Sequence, residues 1–298
     1  MPAPSHKKDF ASHARDAFAG VDSIPGVAKP DPIIVAEGVK RVFGGLTAVD
    51  VDRLQIQRHG ITALIGPNGA GKTTLFNLLT CFDVAQEGSW KFNGTEISKM
   101  GPHKVANIGM VRTFQLTKSL YRLSVMDNMR LAATAQRGES LFLSPLRWLW
   151  RDQERSVTER AEALLERFKL IEKKDDFAAA LSGGQRKLLE MARALMVNPE
   201  IVMLDEPMAG VNPALKQSLL GHIKSLRDEG MTVLFVEHDM DMVRDISDWV
   251  VVMAQGKIVA EGTPDEVMTN QAVVDAYLGA HHDSTLEDQS GSEAKGGR

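Results

Sequence analysis

The chain has a single cysteine, Cys81, in 298 residues. An internal disulfide is therefore excluded, and one thiol fits a reducing compartment. Cys81 stands between Leu78, Leu79 and Phe82, so it reads as a small core residue rather than a reactive thiol. Long apolar runs are missing as well. No stretch approaches the roughly 20 residues that a membrane-spanning helix needs. The opening "MPAPSHKKDFASHARDAFAGVDSIPGVAKPDP" lacks the apolar centre of a secretory signal. No basic block stands apart from interleaved acids: 35 Lys and Arg face 39 Asp and Glu, for a net charge of −4. That removes the electrostatic footprint of a nucleic-acid binder. Neither an internal repeat nor sustained heptads occur. What is present, 43% hydrophobic and 25% charged residues, is the composition of an ordinary globular protein. The length allows one large domain or two intimate subdomains.

From Pro32 onward, "IIVAEGVKRVF", "TAVDVDRLQI" and "ITALIG" read as strands, the third buried and ending in a glycine loop. "KTTLFNLLTCF" follows with apolar residues at helical spacing. "GSWKFNG" looks like a hairpin arm, and "IGMVRTFQ" is a short strand ending at Gln115. Between about 116 and 180 the periodicity is helical and no strand intervenes, which marks a helical insertion. Strands and helices then alternate through "PEIVMLDEP", "PALKQSLLGHIKSLRDEG", "MTVLFVEHD", "DWVVVMAQ" and "GKIVAEGTP". Fully apolar strands alternating with amphipathic helices predict an α/β fold with a mostly parallel sheet covered on both faces. A short helix is expected over Phe10–Phe18 within an otherwise polar, flexible extension, residues 1–32. The tail at 281–298, "HHDSTLEDQSGSEAKGGR", has the composition of disorder.

"GPNGAGKTT", residues 66–74, satisfies G-x-x-x-x-G-K-[ST] between a buried strand and a helix, the context that motif requires. Gly66, Gly69 and Gly71 let backbone N–H groups wrap a phosphate, with Pro67, Asn68 and Ala70 completing the loop. Lys72 supplies positive charge to the β- and γ-phosphates, and Thr73, followed by Thr74, offers a hydroxyl to Mg²⁺. "IVMLDE" ends an apolar strand in two acids: Asp205 suits a metal-holding role, and Glu206 is then placed to orient or deprotonate water. His238 lies just past another buried strand. A histidine there is commonplace, but C-terminal strand ends converge on the ligand in such sheets, and it can donate to a γ-phosphate. Gln115 likewise ends a strand, placed to reach the metal or the water. "LSGGQRK", 181–187, has paired glycines opening a helix but no lysine where a phosphate clamp needs one. The methionines at 191, 196, 203 and 208 read as core filler.

The order of phosphate loop, glutamine, LSGGQ, apolar-Asp-Glu and histidine resembles the ATP-binding cassette (ABC) family over residues 33–262. The fold so implied is a RecA-like phosphate-loop core with an N-terminal antiparallel β subdomain and an inserted α-helical subdomain, the whole domain running 33–280. "RVFGGLTAVDVD", "GMVRTFQLTKSLYRLSVMDNM", "LDEPMAGVNP" and the ending "GTPDEVMTNQAVVDAYLG" are similar to the larger ATPase type of branched-chain amino-acid importers, with a C-terminal family extension at about 262–280. The resemblance implies that Phe43 stacks on adenine, with core packing as the alternative. It also implies that Ser182, Gly183, Gly184 and Gln185 close over ATP held by another subunit, since the helix start is a ready anion site. "AGVN" stands where many relatives have "SALD", so Asn212 replaces an aspartate.

The expected activity is ATP hydrolysis with Mg²⁺, coupled to import through two membrane permease subunits. A sibling or identical ABC ATPase and, indirectly, a periplasmic substrate-binding protein complete the partners; no nucleic acid is expected. The chain is then cytoplasmic, peripheral on the inner face of the cell membrane. An importer for urea, short amides or aromatic acids is the alternative within transport, and a non-transport ABC ATPase the alternative outside it. The apolar "LFLSPLRWLWRDQE", 141–154, is read either as packing within the helical insertion or as contact with a permease or membrane surface.

Overall fold

The computed structural model describes residues 10–113, 120–133 and 151–278. Two compact units make up the chain: one joins the residues up to Pro102 with those from Ile223, the other is His103–His222. In the first, helix α1 (Phe10–Phe18) precedes strands β1 (Pro32–Phe43), β2 (Leu46–Gln57) and β3 (Ile61–Ile65). Helix α2 (Lys72–Leu79) and the hairpin β4 (Glu87–Phe92) with β5 (Thr95–Glu96) follow. Strands β2, β1, β4 and β5 form an antiparallel sheet in that order, with Val39 opposite Val51 and Ala36 opposite both Leu54 and Trp90.

The second unit contains α3 (Pro102–Asn107), the short strand β6 (Met110–Arg112), α4 (Val125–Ala132), α5 (Arg151–Arg167), α6 (Gly183–Leu195), β7 (Ile201–Asp205) and the start of α7 (Pro213–Asp228). Strands β6 and β7 are parallel, Val111 opposite Val202. Helices α4, α5 and α6 pack on one another. Val125, Met129, Ala161, Leu165 and Leu189 are wholly buried, and Met191, Met196, Met203 and Met208 are core residues as their spacing implied. Among the described residues from 120 to 180 the only β pairing is an isolated bridge, Ser124 with Phe177, in keeping with a helical insertion.

Back in the first unit, β8 (Thr232–Val236), α8 (Met240–Ile246), β9 (Trp249–Ala254), β10 (Lys257–Gly262) and α9 (Pro264–Met268) follow, with a last helix over 271–278. Strand β3 runs parallel to β8 on one side and to β9 on the other, and β10 closes onto β9 antiparallel. All five residues of β3 and of β8 are buried, which is why they read as unbroken apolar runs rather than alternating ones. Cys81 is core, its thiol pushed up by burial and its Sγ 3.1 Å from the Ile97 carbonyl.

Helix α1 forms over the anticipated residues, and several side chains of the N-terminal extension pack on the rest of the first unit. Phe10, Ala14 and Phe18 recur every four residues and so share one helix face. Phe18 stacks on Trp249 with centroids 4.8 Å apart, and Phe10 meets the His59 ring at 4.9 Å. Downstream, the Lys29 ammonium and the Glu261 carboxylate pair at 2.9 Å with side chains 1% and 0% exposed. Glu261 also accepts from Trp249 Nε1 at 3.0 Å and from the Gly26 N–H at 2.7 Å. A polar composition concealed these anchors because they are long-range partners on β9 and β10. Residues 1–9, the tail at 281–298 and residues 141–150 of the apolar stretch lie outside the described residues; 151–154 open α5.

Candidate nucleotide site

In the first unit, β3 delivers the chain into the loop 66–71, and α2 begins at Lys72. Gly66 has φ 149°, and a Cβ there would lie 2.1 Å from the Met253 carbonyl oxygen of β9, so only glycine lets the loop leave the strand at this point. The N–H of Gly256 donates to the Ala70 carbonyl at 3.0 Å, which ties the β9–β10 turn to the loop. Lys72 is buried, and its Nζ donates to the Gly66 and Pro67 carbonyls at 2.8 Å each, so the loop curls around its own cation. Asn68, Gly69 and Thr73 are exposed, and Thr74 half-buried, at the start of a helix whose first N–H groups have no intrahelical acceptor. Such a helix start favours an anion through free donors and the dipole.

Parallel pairing of β3 with β8 sets Leu64 opposite Val236, so His238 emerges at the same sheet edge as the loop. Its ring is exposed, while its N–H donates to the buried Glu237 carboxylate at 3.2 Å. The hairpin tip carrying Phe43 leads into β2, whose Ala48 carbonyl would sit 2.2 Å from a Cβ on Gly71. Phe43 is 46% exposed with the Arg41 guanidinium 4.3 Å from its ring centroid. A ring so exposed is available to a planar ligand and does not serve as core packing.

In the second unit, Ser182 caps α6: its Oγ accepts from the Gln185 N–H at 3.3 Å, and Gln185 Oε1 accepts from the Ser182 N–H at 2.9 Å. This reciprocal box holds the signature as a helix start and occupies the side chains of Ser182 and Gln185. Ser182 and Gly183 are exposed. Gly184 is buried where a Cβ would fall 1.8 Å from Leu215 Cδ2, so its role is close packing of α6 against α7. Asn212 Oδ1 accepts from the Leu215 N–H at 2.9 Å at the start of α7, a capping bond that asparagine makes as well as aspartate does. At the end of β7, Asp205 Oδ2 binds Arg112 Nη2 of β6 at 2.6 Å. Glu206, exposed, has φ 46°, an uncommon left-handed conformation for a residue with a side chain and one that concentrates at functional sites.

Three participants were not read from the sequence. Arg112 ties to Asp205, and an arginine inside the apolar stretch "GMVRTF" was the signal, since a buried guanidinium requires an acceptor. The second is Met253, whose carbonyl fixes Gly66. The third is Tyr277, whose phenol burial pushes up while the Gly66 N–H acts in the opposite sense. Gln115 lies outside the described residues.

A phosphate loop opening a helix between buried parallel strands, with an acidic strand end and a capped glycine signature, defines a phosphate-loop nucleotide-binding protein. Comparison narrows the class. A family profile described as ABC transporter matches residues 49–209, and one described as branched-chain amino acid ATP-binding cassette transporter matches 257–283. The chain belongs to the ABC transporter family, as an ATP-binding cassette ATPase. It is 39% identical over 255 residues to the probable branched-chain amino acid transport ATP-binding protein LivG of Archaeoglobus fulgidus, covering 86% of this chain and 98% of that protein. It is 40% identical over 253 residues to the high-affinity branched-chain amino acid transport ATP-binding protein BraF of Pseudomonas aeruginosa, covering 83% and 98%. Among solved structures it is similar to the ADP conformation of an ATP-binding cassette of an ABC transporter, with TM-score 0.73, 37% identity and coverage of 83% and 99%. No helix among the described residues is long and apolar enough to cross a membrane.

Proposed function

We propose that this ATPase powers an importer for branched-chain or other hydrophobic amino acids, working on the inner face of the cell membrane against two permease subunits. A sibling or identical cassette completes the pair, and a periplasmic binding protein delivers the substrate. The observation that carries the reading is the joint presence of the loop at 66–74, the LSGGQ helix start and the C-terminal extension that the branched-chain family profile matches.

Adenine stacks on Phe43, and the triphosphate lies along the N–H groups of residues 66–74 with Lys72 turned from the Gly66 and Pro67 carbonyls toward it. Mg²⁺ fits the donors offered, a hydroxyl at Thr73 and a carboxylate at Asp205, because that ion selects hard oxygen ligands and keeps several waters. Bound there, it neutralises charge developing on the phosphates. Gln115 completes that set. Glu206 orients and deprotonates the attacking water, and His238 donates to the γ-phosphate. The exposed helix start at Ser182 and Gly183 faces the nucleotide of the other subunit, so the active form is a head-to-tail dimer.

Glu206→Gln tests the chemistry. Affinity for ATP, measured by equilibrium binding, stays at the wild-type level while turnover falls roughly 100-fold or more, the range of general-base catalysis. Equal hydrolysis by the variant removes Glu206 from the role. The cargo is tested by leucine, isoleucine and valine uptake in vesicles carrying the neighbouring permeases. Uptake of urea or short amides instead would reject the amino-acid assignment.

A further inference from the structure

Four basic residues far apart in the sequence, Arg15, Lys224, Arg227 and Arg244, line one cavity of about 380 Å³ in the first unit. It lies between α1, the C-terminal ends of α7 and α8, and the start of α9. None of its lining residues belongs to the phosphate loop. Asp248 marks its place in the sheet: its N–H donates to the Ile61 carbonyl and its Oδ2 accepts from the Ile61 N–H, each at 2.8 Å. Ile61 opens β3 and Ile65 delivers it to the loop, so cavity and loop are held at opposite ends of the same strand.

Three carboxylates share the lining, so the cations exceed them by one charge. Arg227 is not the spare one. It meets Asp248 at 3.0 Å with both side chains enclosed, and its other donors go to Asp228. Lys224 pairs with Asp245 at 3.1 Å and Arg244 with Asp265 at 2.9 Å, every one of these side chains at least 37% exposed. The excess charge is Arg15, which makes no hydrogen bond or ion pair among the described residues. Its helix fixes it there, since the neighbouring Ala14 is buried and Phe18 stacks on Trp249. Ser247 adds to the lining a hydroxyl with no hydrogen-bond partner among the described residues.

An unpaired guanidinium in a cavity wall suits an anion, and the two outer pairs decide which. Exposed ion pairs contribute little, so a ligand with more than one negative charge can take Lys224 and Arg244 from their aspartates. A single carboxylate satisfies Arg15 and does no better than the aspartates at the other two. A phosphate monoester, with a charge of about −1.5 to −2 at pH 7 and three acceptor oxygens, serves all three. The volume falls in the range of small-molecule sites, and Ile246 and Pro264 give the esterified group an apolar wall. We propose that this cavity binds a small soluble phosphate monoester, held by Arg15, Lys224 and Arg244, at a site separate from the nucleotide.

Glucose 6-phosphate and glycerol 3-phosphate are the probes, titrated calorimetrically into the purified full chain in phosphate-free buffer. At least one binds saturably at millimolar concentration, while glucose and glycerol do not bind. Arg15→Gln weakens that binding about tenfold or more, the effect of one charge-assisted hydrogen bond, and Arg244→Gln does the same. Both side chains are exposed, so the unfolding temperature, ATP affinity and turnover of these variants stay at wild-type values. Lys72→Ala removes ATP binding and leaves the ester bound. The proposal is overturned if neither ester binds, if the parent sugar or glycerol binds as well as its ester, or if the two arginine variants bind like wild type. Loss of ester binding in Lys72→Ala overturns it too, because the probe would then sit in the phosphate loop. Capture by vesicles containing phosphatidic acid, with neither soluble ester bound, would assign these cations to a membrane surface instead.

Discussion

Replacing Lys29 by methionine removes an ammonium from one of the most enclosed charge pairs in the first unit. Methionine fills most of the volume of the lysine stem, so the perturbation is mainly electrostatic. Glu261 would stay buried with its charge, retaining the Trp249 Nε1 donor at 3.0 Å and the Gly26 N–H at 2.7 Å. Breaking a buried pair by deleting one partner costs about 3–5 kcal/mol. The two remaining donors to a carboxylate, each worth about 1.5–3 kcal/mol, keep the loss near the lower end, about 3 kcal/mol. The Lys29 Nζ also stands 4.3 Å from the Trp249 ring centroid, a cation–π contact within that sum rather than beyond it. For a chain of this size about 3 kcal/mol lowers the unfolding temperature by roughly 6–12 °C. Urea unfolding followed by tryptophan fluorescence, together with a thermal scan, measures both quantities. Adding Glu261→Gln to Lys29→Met recovers part of the loss, because glutamine leaves no stranded charge while its one carbonyl oxygen takes the place of only one of the two accepting oxygens. A Lys29→Met protein within about 1 kcal/mol of wild type refutes the reasoning, since a broken buried pair cannot be that mild. A double variant less stable than the single one refutes it as well.

Burial, then the neighbouring Arg167 and Lys169, hold the His222 imidazole below its ordinary value of 6.5. The unfolded chain therefore binds this proton first, so the contribution is fully present above pH 6.5 and is lost as pH falls toward the folded value. His222→Gln should flatten the slope of unfolding free energy as pH falls below 6.5, and an unchanged slope there removes His222 as its source. Gly66→Ala forces a Cβ onto the Met253 carbonyl, a backbone clash that cannot relax by a rotamer change. ATP binding should be lost or weakened at least 100-fold by calorimetry; affinity within threefold of wild type would show that the strand-to-loop exit is not constrained as described.

The local motifs were legible because each is contiguous. The phosphate loop needs its glycines and lysine within nine residues, and the apolar strands that flank it are buried on both faces, so pattern and fold agree. The signature could be recognised as a helix start from Ser182 and its glycines, and the capping box bears that out. What the signature's second glycine does was not legible, since Leu215 lies more than thirty residues further along the chain.

By itself the sequence determined the class of fold, the helix over Phe10–Phe18, the core methionines and the helix starts at Lys72 and after Ser182, because periodicity and local hydrogen bonding act over a few residues. Tertiary structure decided the partners separated by long loops. It placed Arg112 on Asp205, buried Lys29 against Glu261 and left Phe43 exposed. The two ion pairs share one physical reason. A charge or hydroxyl enters a folded interior only where a partner meets it, and which partner arrives there depends on how the strands and helices pack.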